Sequence, residues 1–358
     1  MVLWTVIHRI SETETRRFIV AVLNKRGIPG AEASIVADVI VTANLLGIDS
    51  HGIVRLTHYA RRLANGTLNA NPKIHFEQTS PTTGIIDGDD GLGHVVAFRA
   101  YERLSELTKS VGTATVVVRN SSHFGIAGYY ARRLLERGFI GMVMTPSDAL
   151  LIPFGGSKPF FGTNPIAVGF PHPIIDGIKL PPVVLDMATT EIPYGKIVLA
   201  QKERKPIPPN WGFDSDGKPT TDADNIAGLH PIAGPKGSGL AMMIDLFCSL
   251  LAGMPFGPNI PKMYQEMDRR RQLSHFLSAW DVSRFRPVSA FAEDLGRMIA
   301  ELRTIPPAEG FDRVYYPGEI EAERMNERRA KGIPIEEGLH NELVTLAHEL
   351  GVEPPRNQ

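Results

Sequence analysis

The chain has 358 residues, with 38 Lys and Arg against 39 Asp and Glu, for a formal net charge of -1. That length allows two or three packed units and a large core, and the charge balance gives no pull toward nucleic acid or an anionic membrane. The single cysteine, Cys248, excludes an intrachain disulfide, suits a reducing compartment and lies in an apolar run where a buried inert thiol is expected.

Met1–Ile7 is too short an apolar run for a secretory signal, and charged, helix-forming sequence follows, so a cytoplasmic protein is expected. Ser11-Glu12-Thr13-Glu14 fits a capping box. The helix after it places Phe18, Ile19, Val22 and Leu23 on one face and stops near Gly27. A second helix runs from about Ala31 to Leu46, with Ile35, Val36, Val39, Ile40 and Ala43 at the helical period. A third starts near Asp49 or Ser50, either of which can cap it, and ends near Asn65-Gly66. On that helix His51, Arg55 and Tyr59 recur every four residues and share one face. Residues 1–70 therefore read as a helical unit.

The pattern then turns mixed. Ile74–Gln78 and Thr83–Asp87 read as strands, followed by the turn-rich Asp87–Gly91. A helix from about His94 to Ser110 precedes the strand Thr115–Val118. After the loop Asn120–Gly125 come an Arg- and Leu-rich helix to Arg137 and a strand at Phe139–Met144. Val183-Val184-Leu185 reads as a buried strand ending at Asp186. Lys205–Asn225 is a polar surface segment, and helices are expected near Gly239–Gly253, Val288–Arg303, Glu319–Lys331 and Glu336–Leu350. Gly239–Phe256 is the most apolar long segment; it is short for a membrane span, carries Asp245, and reads as a buried helix.

Four stretches can carry chemistry. The His51, Arg55 and Tyr59 face offers a proton-transfer group, a planar cation and a phenol, which a small carboxylate substrate could use. A surface helix with polar residues in water is the plainer alternative. His123 opens a glycine-bearing strand-to-helix loop, a common place for catalytic groups. Gly234-Pro235-Lys236-Gly237-Ser238-Gly239 opens a helix with free N–H groups and a lysine, which suits a phosphate. Asp186 can bond a cofactor, orient a histidine or cap the next helix. Gly91-Leu92-Gly93-His94-Val95-Val96 lacks the third glycine of the dinucleotide fingerprint. Asp214-Ser215-Asp216-Gly217 resembles the start of a calcium loop without its later ligands and reads as a hairpin turn.

Gly47-Ile48-Asp49-Ser50-His51-Gly52, Ser122-His123-Phe124-Gly125, Gly162-Thr163-Asn164-Pro165, Leu185-Asp186-Met187-Ala188-Thr189, Gly234–Leu240 and Tyr315-Tyr316-Pro317-Gly318-Glu319 occur in this order. Together they resemble the type 2 malate/L-lactate dehydrogenase family over almost the whole chain, and Asp186–Thr190 with Phe311–Gly318 look like its ureidoglycolate dehydrogenase branch. The resemblance implies an α/β (α+β) fold that is not a Rossmann fold. It would have a mixed, largely antiparallel sheet flanked by helices, an N-terminal helical domain (1–70, joined by 319–358) and a catalytic domain (71–318).

The resemblance also implies an NAD- or NADP-dependent oxidoreductase acting on a 2-hydroxy, 2-keto or 2-imino acid. It would be a homodimer or larger, with no metal. His123 or His51 would be the acid/base, Arg55 would clamp the substrate carboxylate and Tyr59 would line the pocket. Ser147, Asp186, Met187, Ala188, Lys236, Gly237, Pro317, Gly318 and Glu319 would hold NAD. A metal-dependent hydrolase or lyase using His51, His123 and Asp186 is the alternative of another class.

Overall fold

Two apolar clusters built on different periodicities organise the chain. The computed structural model describes residues 6–357 (of residues 199, 202 and 203, the backbone only). Most of the Met1–Ile7 run therefore lies outside the described residues. The chain begins with β1 (Ile7–Ile10), α1 (Glu12–Lys25), α2 (Gly30–Leu45), two 3-10 turns (Asp49–His51 and Ile53–Arg55) and α3 (Leu56–Ala64). Next come β2 (His75–Ser80), β3 (Thr83–Asp87), α4 (Gly93–Val111), β4 (Thr113–Ser121), α5 (Ala127–Leu135), β5 (Phe139–Met144) and β6 (Ile166–Phe170). A small hairpin, β7 (Ile174–Ile175) and β8 (Ile178–Lys179), precedes β9 (Val183–Met187), α6 (Tyr194–Glu203), β10 (Gly212–Phe213) and β11 (Gly228–Leu229). The chain ends with α7 (Pro235–Asp245), β12 (Leu273–Asp281), α8 (Val288–Leu302), α9 (Glu319–Lys331), β13 (Ile333–Glu336) and α10 (Glu337–Leu350).

The first cluster packs the apolar stripes of α1 and α2 together. Phe18, Ile19, Val22 and Leu23 are buried against Val36, Ile40 and, from α10, Leu343 and Leu346. Antiparallel pairing of Ile10 with Ile333 draws the last elements onto the first. Ser11 caps α1 by accepting from Glu14 N at 3.1 Å. The reciprocal half of the capping box is absent, because the Glu14 carboxylate pairs with Arg17 at 2.7 Å instead.

The second cluster is the sheet, in the order β2-β3-β4-β12-β5-β6-β9. Only β3 and β4 run parallel; the other neighbours are antiparallel. The short period-2 runs of Val and Ile suit such strands. Val116 and Val118 of β4 and Leu277 of β12 pack against Leu104 of α4 and Tyr130 and Leu134 of α5. This is the expected mixed, mostly antiparallel sheet with helices.

Two expectations are corrected. No single helix begins at Asp49 or Ser50. The Asp49 side chain caps nothing there: it accepts from Asn44 Nδ2 at 2.7 Å and pairs with Arg328 at 2.6 Å. Asn44 Oδ1 in turn accepts from Ile53 N at 2.8 Å. A Cβ on Gly52 would lie 2.3 Å from the Asn44 amide, so only glycine lets the chain pass. These ties wind Asp49–Arg55 into two tight turns broken at Gly52, so the equal spacing of His51, Arg55 and Tyr59 on one helix does not describe the backbone.

The Gly239–Phe256 segment is also not a buried helix. After α7 it continues through a π turn at Leu246–Leu250. Ala241, Ile244 and Cys248 face inward, while Met242, Met243, Phe247, Leu250 and Leu251 are exposed. The inner face packs against Val117, Met144 and Phe276, and on the other side Phe247 meets the Phe276 ring at 5.1 Å between ring centres while much of the remaining apolar face stays exposed. Among the described residues no helix is long and apolar enough to cross a membrane.

Candidate active site

The His123 loop is built by close backbone packing. Ser122 Oγ accepts from Gly93 N at 2.8 Å and donates to Gly91 O at 3.0 Å. A Cβ on Gly93 would lie 2.1 Å from Ser122 O and 2.6 Å from His123 O. The second glycine of Gly91-Leu92-Gly93 thus serves close approach to the histidine loop. Gly125, at φ +83°, completes the bend into α5.

His123 Nδ1 and the Tyr59 hydroxyl are 2.7 Å apart. His51 lies beside them, its ring 5.4 Å from that of His123 and nearly parallel. The Ser50 hydroxyl holds His51 Nδ1 at 2.9 Å. Arg55 Nε donates to Ser50 O at 2.6 Å, and its guanidinium lies over the Tyr264 ring at 5.5 Å. The four side chains named from the sequence therefore converge, by two irregular turns and a loop.

Electrostatics follow from burial beside cations. Desolvation, then the charge of Arg55, pushes His51 down to about 3. Desolvation, then His51 and Arg55, drives His123 well below the ordinary imidazole value. Burial raises the Tyr59 hydroxyl and keeps it protonated. At neutral pH both imidazoles are therefore neutral. When Tyr59 donates to Nδ1, His123 carries its proton on Nε2; when Nδ1 donates to Tyr59, Nε2 is free to accept one.

Sequence reasoning did not single out several neighbours. His94 is completely buried, its ring 4.9 Å from Tyr59 and 6.4 Å from His123, with no partner on either nitrogen among the described residues. Arg62 is 1% exposed and donates to Met263 O at 2.7 Å and Arg269 O at 2.9 Å, which fastens the 263–269 segment over α3. Arg271 pairs with Asp148 at 2.7 Å. No sequence signal separates Arg271 from its neighbours in Arg269-Arg270-Arg271, although the first two are exposed and the third is buried. His58, Tyr59, Arg62, His123, Met263 and Arg271 line a small cavity of about 10 Å³.

The positions named for a cofactor fall in a second group. Ser147 N donates to Asn164 Oδ1 at 3.0 Å, and Thr163 N donates to Ser147 Oγ at 2.9 Å. Thr189 N, just after Asp186-Met187-Ala188, donates to Thr163 O at 2.9 Å. Ile232 N donates to Thr189 O at 2.9 Å, which draws in the loop carrying Lys236 and Gly237 at the start of α7. Pro235 has no N–H, and Gly237 N and Ser238 N donate to Ile232 O and Gly234 O, so the exposed Lys236 is the group there that can meet a phosphate.

Pro317 and Gly318 lie along β9, where Val184 N donates to Pro317 O at 2.9 Å. The buried Glu319 carboxylate is already paired with Arg303 and Arg313, and its N–H donates to Tyr316 O at 3.2 Å. Asp186 accepts from Gly128 N at 2.8 Å, so it caps α5 from across the sheet rather than the helix that follows it. Burial raises its carboxyl to about 6. Among the described residues Asp186, His51 and His123 do not form a group that could hold a metal ion.

The family model described as malate/L-lactate dehydrogenase matches residues 10–344. The L-sulfolactate dehydrogenase of Methanocaldococcus jannaschii is 39% identical over 339 residues, 94% of this chain and 96% of that one. The ureidoglycolate dehydrogenase (NAD(+)) of Escherichia coli K12 is 34% identical over 339 residues, 95% of this chain and 96% of that one. The solved malate dehydrogenase of Pyrococcus horikoshii superposes with a TM-score of 0.88 at 34% identity, covering 98% of this chain and 99% of that one.

The buried histidines make stability depend on pH in a defined direction. Burial lowers His94 to about 3 against 6.5 for the free imidazole. The unfolded chain therefore binds a proton below pH 6.5 that the folded chain refuses until about pH 3. The resulting stability is present above pH 6.5 and is lost as pH falls, by about 1.4 kcal/mol per unit. We expect the stability difference between wild type and His94→Gln to shift by roughly 2 kcal/mol in favour of the variant between pH 6.5 and 5. Urea unfolding at the two pH values reads it; a pH-independent difference would show that His94 does not titrate this way.

Proposed function

The chain belongs to the malate/L-lactate dehydrogenase family, and from that premise we propose that it transfers a hydride between a 2-hydroxy acid and NAD. The observation that carries the reading is the Tyr59–His123 hydrogen bond, set beside His51 and within reach of the Arg55 charge. The nicotinamide ring supplies the hydride acceptor in oxidation and the donor in reduction. Ser147, the Asp186-Met187-Ala188 segment, Lys236, Gly237 and the Pro317-Gly318-Glu319 segment are the residues we assign to holding the dinucleotide. NADP is the alternative cofactor, and malate, lactate and ureidoglycolate types of acid are all within the class.

In oxidation His123 Nε2 accepts the hydroxyl proton as the hydride leaves C2, and the C–O single bond becomes a carbonyl. Tyr59 fixes the imidazole through Nδ1. His51 polarises the oxygen, and Arg55 holds the substrate carboxylate with paired N–H donors. The cavity of about 10 Å³ has room for little more than a water. The same residues run in reverse on a 2-keto or 2-imino acid.

We also place a second copy of the chain on the exposed apolar face of Met242, Met243, Phe247, Leu250 and Leu251, since water-facing patches of this kind mark interfaces. Light scattering should give a dimer or larger; a fully active monomer contradicts this placement.

Neutral imidazole is the base, and burial beside cations depresses its pKa. Oxidation should therefore rise with pH to a half-maximum below pH 6.5 and be level at neutrality, while reduction falls over the same range. His123→Asn should remove the inflection and most of kcat, measured as reduced nicotinamide formed from a panel of 2-hydroxy acids. No turnover in either direction by folded, cofactor-binding protein contradicts the function. Near-normal kcat in His123→Asn, with loss in His51→Asn, exchanges the two roles.

Truncating a buried charge partner costs on the order of 2–5 kcal/mol. Arg55→Ala should lower kcat/KM for the acid by roughly 30- to several-thousand-fold with little change in NAD affinity. Arg55→Lys should recover only part, lacking the planar fork. Steady-state kinetics beside an NAD titration decide it; normal acid kinetics, or lost NAD binding, contradict the assignment.

A further inference from the structure

His275 stands where an aliphatic side chain would fill the sheet. It lies on β12, between β4 and β5, and shares a face of that strand with Leu277 and Ala279, both part of the core beneath α4 and α5. The imidazole is completely buried. Both ring nitrogens are nonetheless bonded, Nδ1 to Thr145 Oγ1 and Nε2 to Ser121 Oγ, each at 2.8 Å. Replacing a matched polar set by apolar groups of the same shape can be nearly neutral for stability. Core packing therefore does not account for a histidine here, and what its two bonds join does.

Ser121 is the last residue of β4 and stands two before His123. Thr145 follows the last residue of β5 and stands two before Ser147. One ring thus spans the roots of the acid/base loop and of the loop assigned to the dinucleotide. It also stacks on Phe124, the residue after His123, with ring centres 4.4 Å apart and planes 13° apart. The pairing of β12 with β4 shifts register between Leu273 and His275, beside Ser121. The ladder is irregular at that point, and the His275 side chain makes the connection there.

The direction of the bonds follows from the partners. A hydroxyl has one hydrogen, and Thr145 Oγ1 directs its own to the carbonyls of Ser274 at 3.0 Å and Pro146 at 3.2 Å. It then accepts from His275 Nδ1–H, and Nε2 accepts from Ser121 Oγ. Only a neutral ring donates on one side and accepts on the other. Burial keeps it neutral by pushing His275 down to about 3, so the tie is the same across the ordinary pH range.

We propose that His275 is a positioning residue for hydride transfer: by bridging Ser121 and Thr145 it fixes the His123 loop against the Ser147 loop, and so acts on the chemical step and not on the affinity for either ligand. The proposal rests on the dehydrogenase reading and deepens it. Holding reacting groups about 1 Å out of place can cost on the order of 100-fold in rate.

The test uses the full-length enzyme. His275→Phe keeps a flat ring against Phe124 and removes both bonds, while His275→Gln keeps one donor and one acceptor. In single turnovers His275→Phe should slow hydride transfer by roughly 10- to 100-fold, with the Kd of NAD and the KM of the hydroxy acid changed by less than about threefold. The pH of half-maximal oxidation should stay where it is in wild type, since His123 keeps its surroundings. His275→Gln should recover most of the rate. Ser121→Ala removes one end of the tie, gives part of the loss by itself, and carries the test if His275→Phe does not fold. Combined with His275→Phe it should add nothing, as expected for two ends of one bond.

Thermal unfolding of each variant identifies the folded samples. Normal single-turnover rates in the folded variants, a loss carried by NAD affinity instead, additive losses in the double variant, or no recovery in His275→Gln would overturn the assignment. Amide hydrogen exchange separates the two claims. ADP-ribose, which carries the phosphates of the dinucleotide but no nicotinamide, should slow exchange at residues 121–126 in wild type and not in His275→Phe. That result without turnover of any hydroxy acid by wild type refutes the dehydrogenase reading and leaves the tie between the loops standing. Equal exchange responses in the two proteins overturn the tie.

Discussion

Imidazoles buried beside guanidinium groups set the terms for the rest of this site. A charged imidazole there would face Arg55 and Arg271 with little water to screen it, so His51 and His123 are held neutral. Neutral rings can accept a proton at ordinary pH, which a base for alcohol oxidation must do. The same dryness makes each cation need a partner. Arg62 finds backbone carbonyls, Arg271 finds Asp148, and Arg55 finds Ser50 O and the face of Tyr264. Arg271 Nε and Nη1 remain without a partner among the described residues.

Distant elements bring these groups together. Arg328 on α9 bonds Asp49, Asp49 bonds Asn44, and Asn44 bonds Ile53 N, so a C-terminal helix shapes the turn that carries His51. Gly93 at the start of α4 lies against the His123 backbone where a methyl group would not fit. Asp186 at the far end of the sheet caps α5, the helix that follows the His123 loop. The proposed cofactor segments lean on Thr163–Asn164, next to the strand that Asp186 pairs with. A change in the nucleotide-side strands thus has a covalent and hydrogen-bonded route to the histidine loop.

Much of this was legible in the sequence where the signal is local. Phe139–Met144 and Glu319–Lys331 lie where β-rich and helical patterns place them, and the α1 stripe is buried as its period requires. The convergence of His51, Arg55, Tyr59 and His123 was expected partly for the wrong reason. An equal spacing suggested one helix, but the turns are dictated by Asn44 and by Arg328, which no window around residue 51 contains. Arg271 was invisible because three successive arginines read alike, and burial of the third depends on the Asp148 carboxylate 123 residues earlier. The exposed half of the Gly239–Phe256 segment was missed because hydropathy reports that an apolar face needs cover, not which chain supplies it.

The central claim is that the C–H bond of a 2-hydroxy acid is broken as a hydride passing directly to nicotinamide, with His123 taking only the hydroxyl proton. Oxidation of a 2-deuterated substrate in ordinary water, followed by mass and NMR analysis of the reduced nicotinamide, tests it most directly. The account predicts one deuterium at C4 of the ring, on one face, and a primary isotope effect when chemistry limits the rate. Loss of the deuterium to water would mean that a base removes the C2 proton, and would contradict the account.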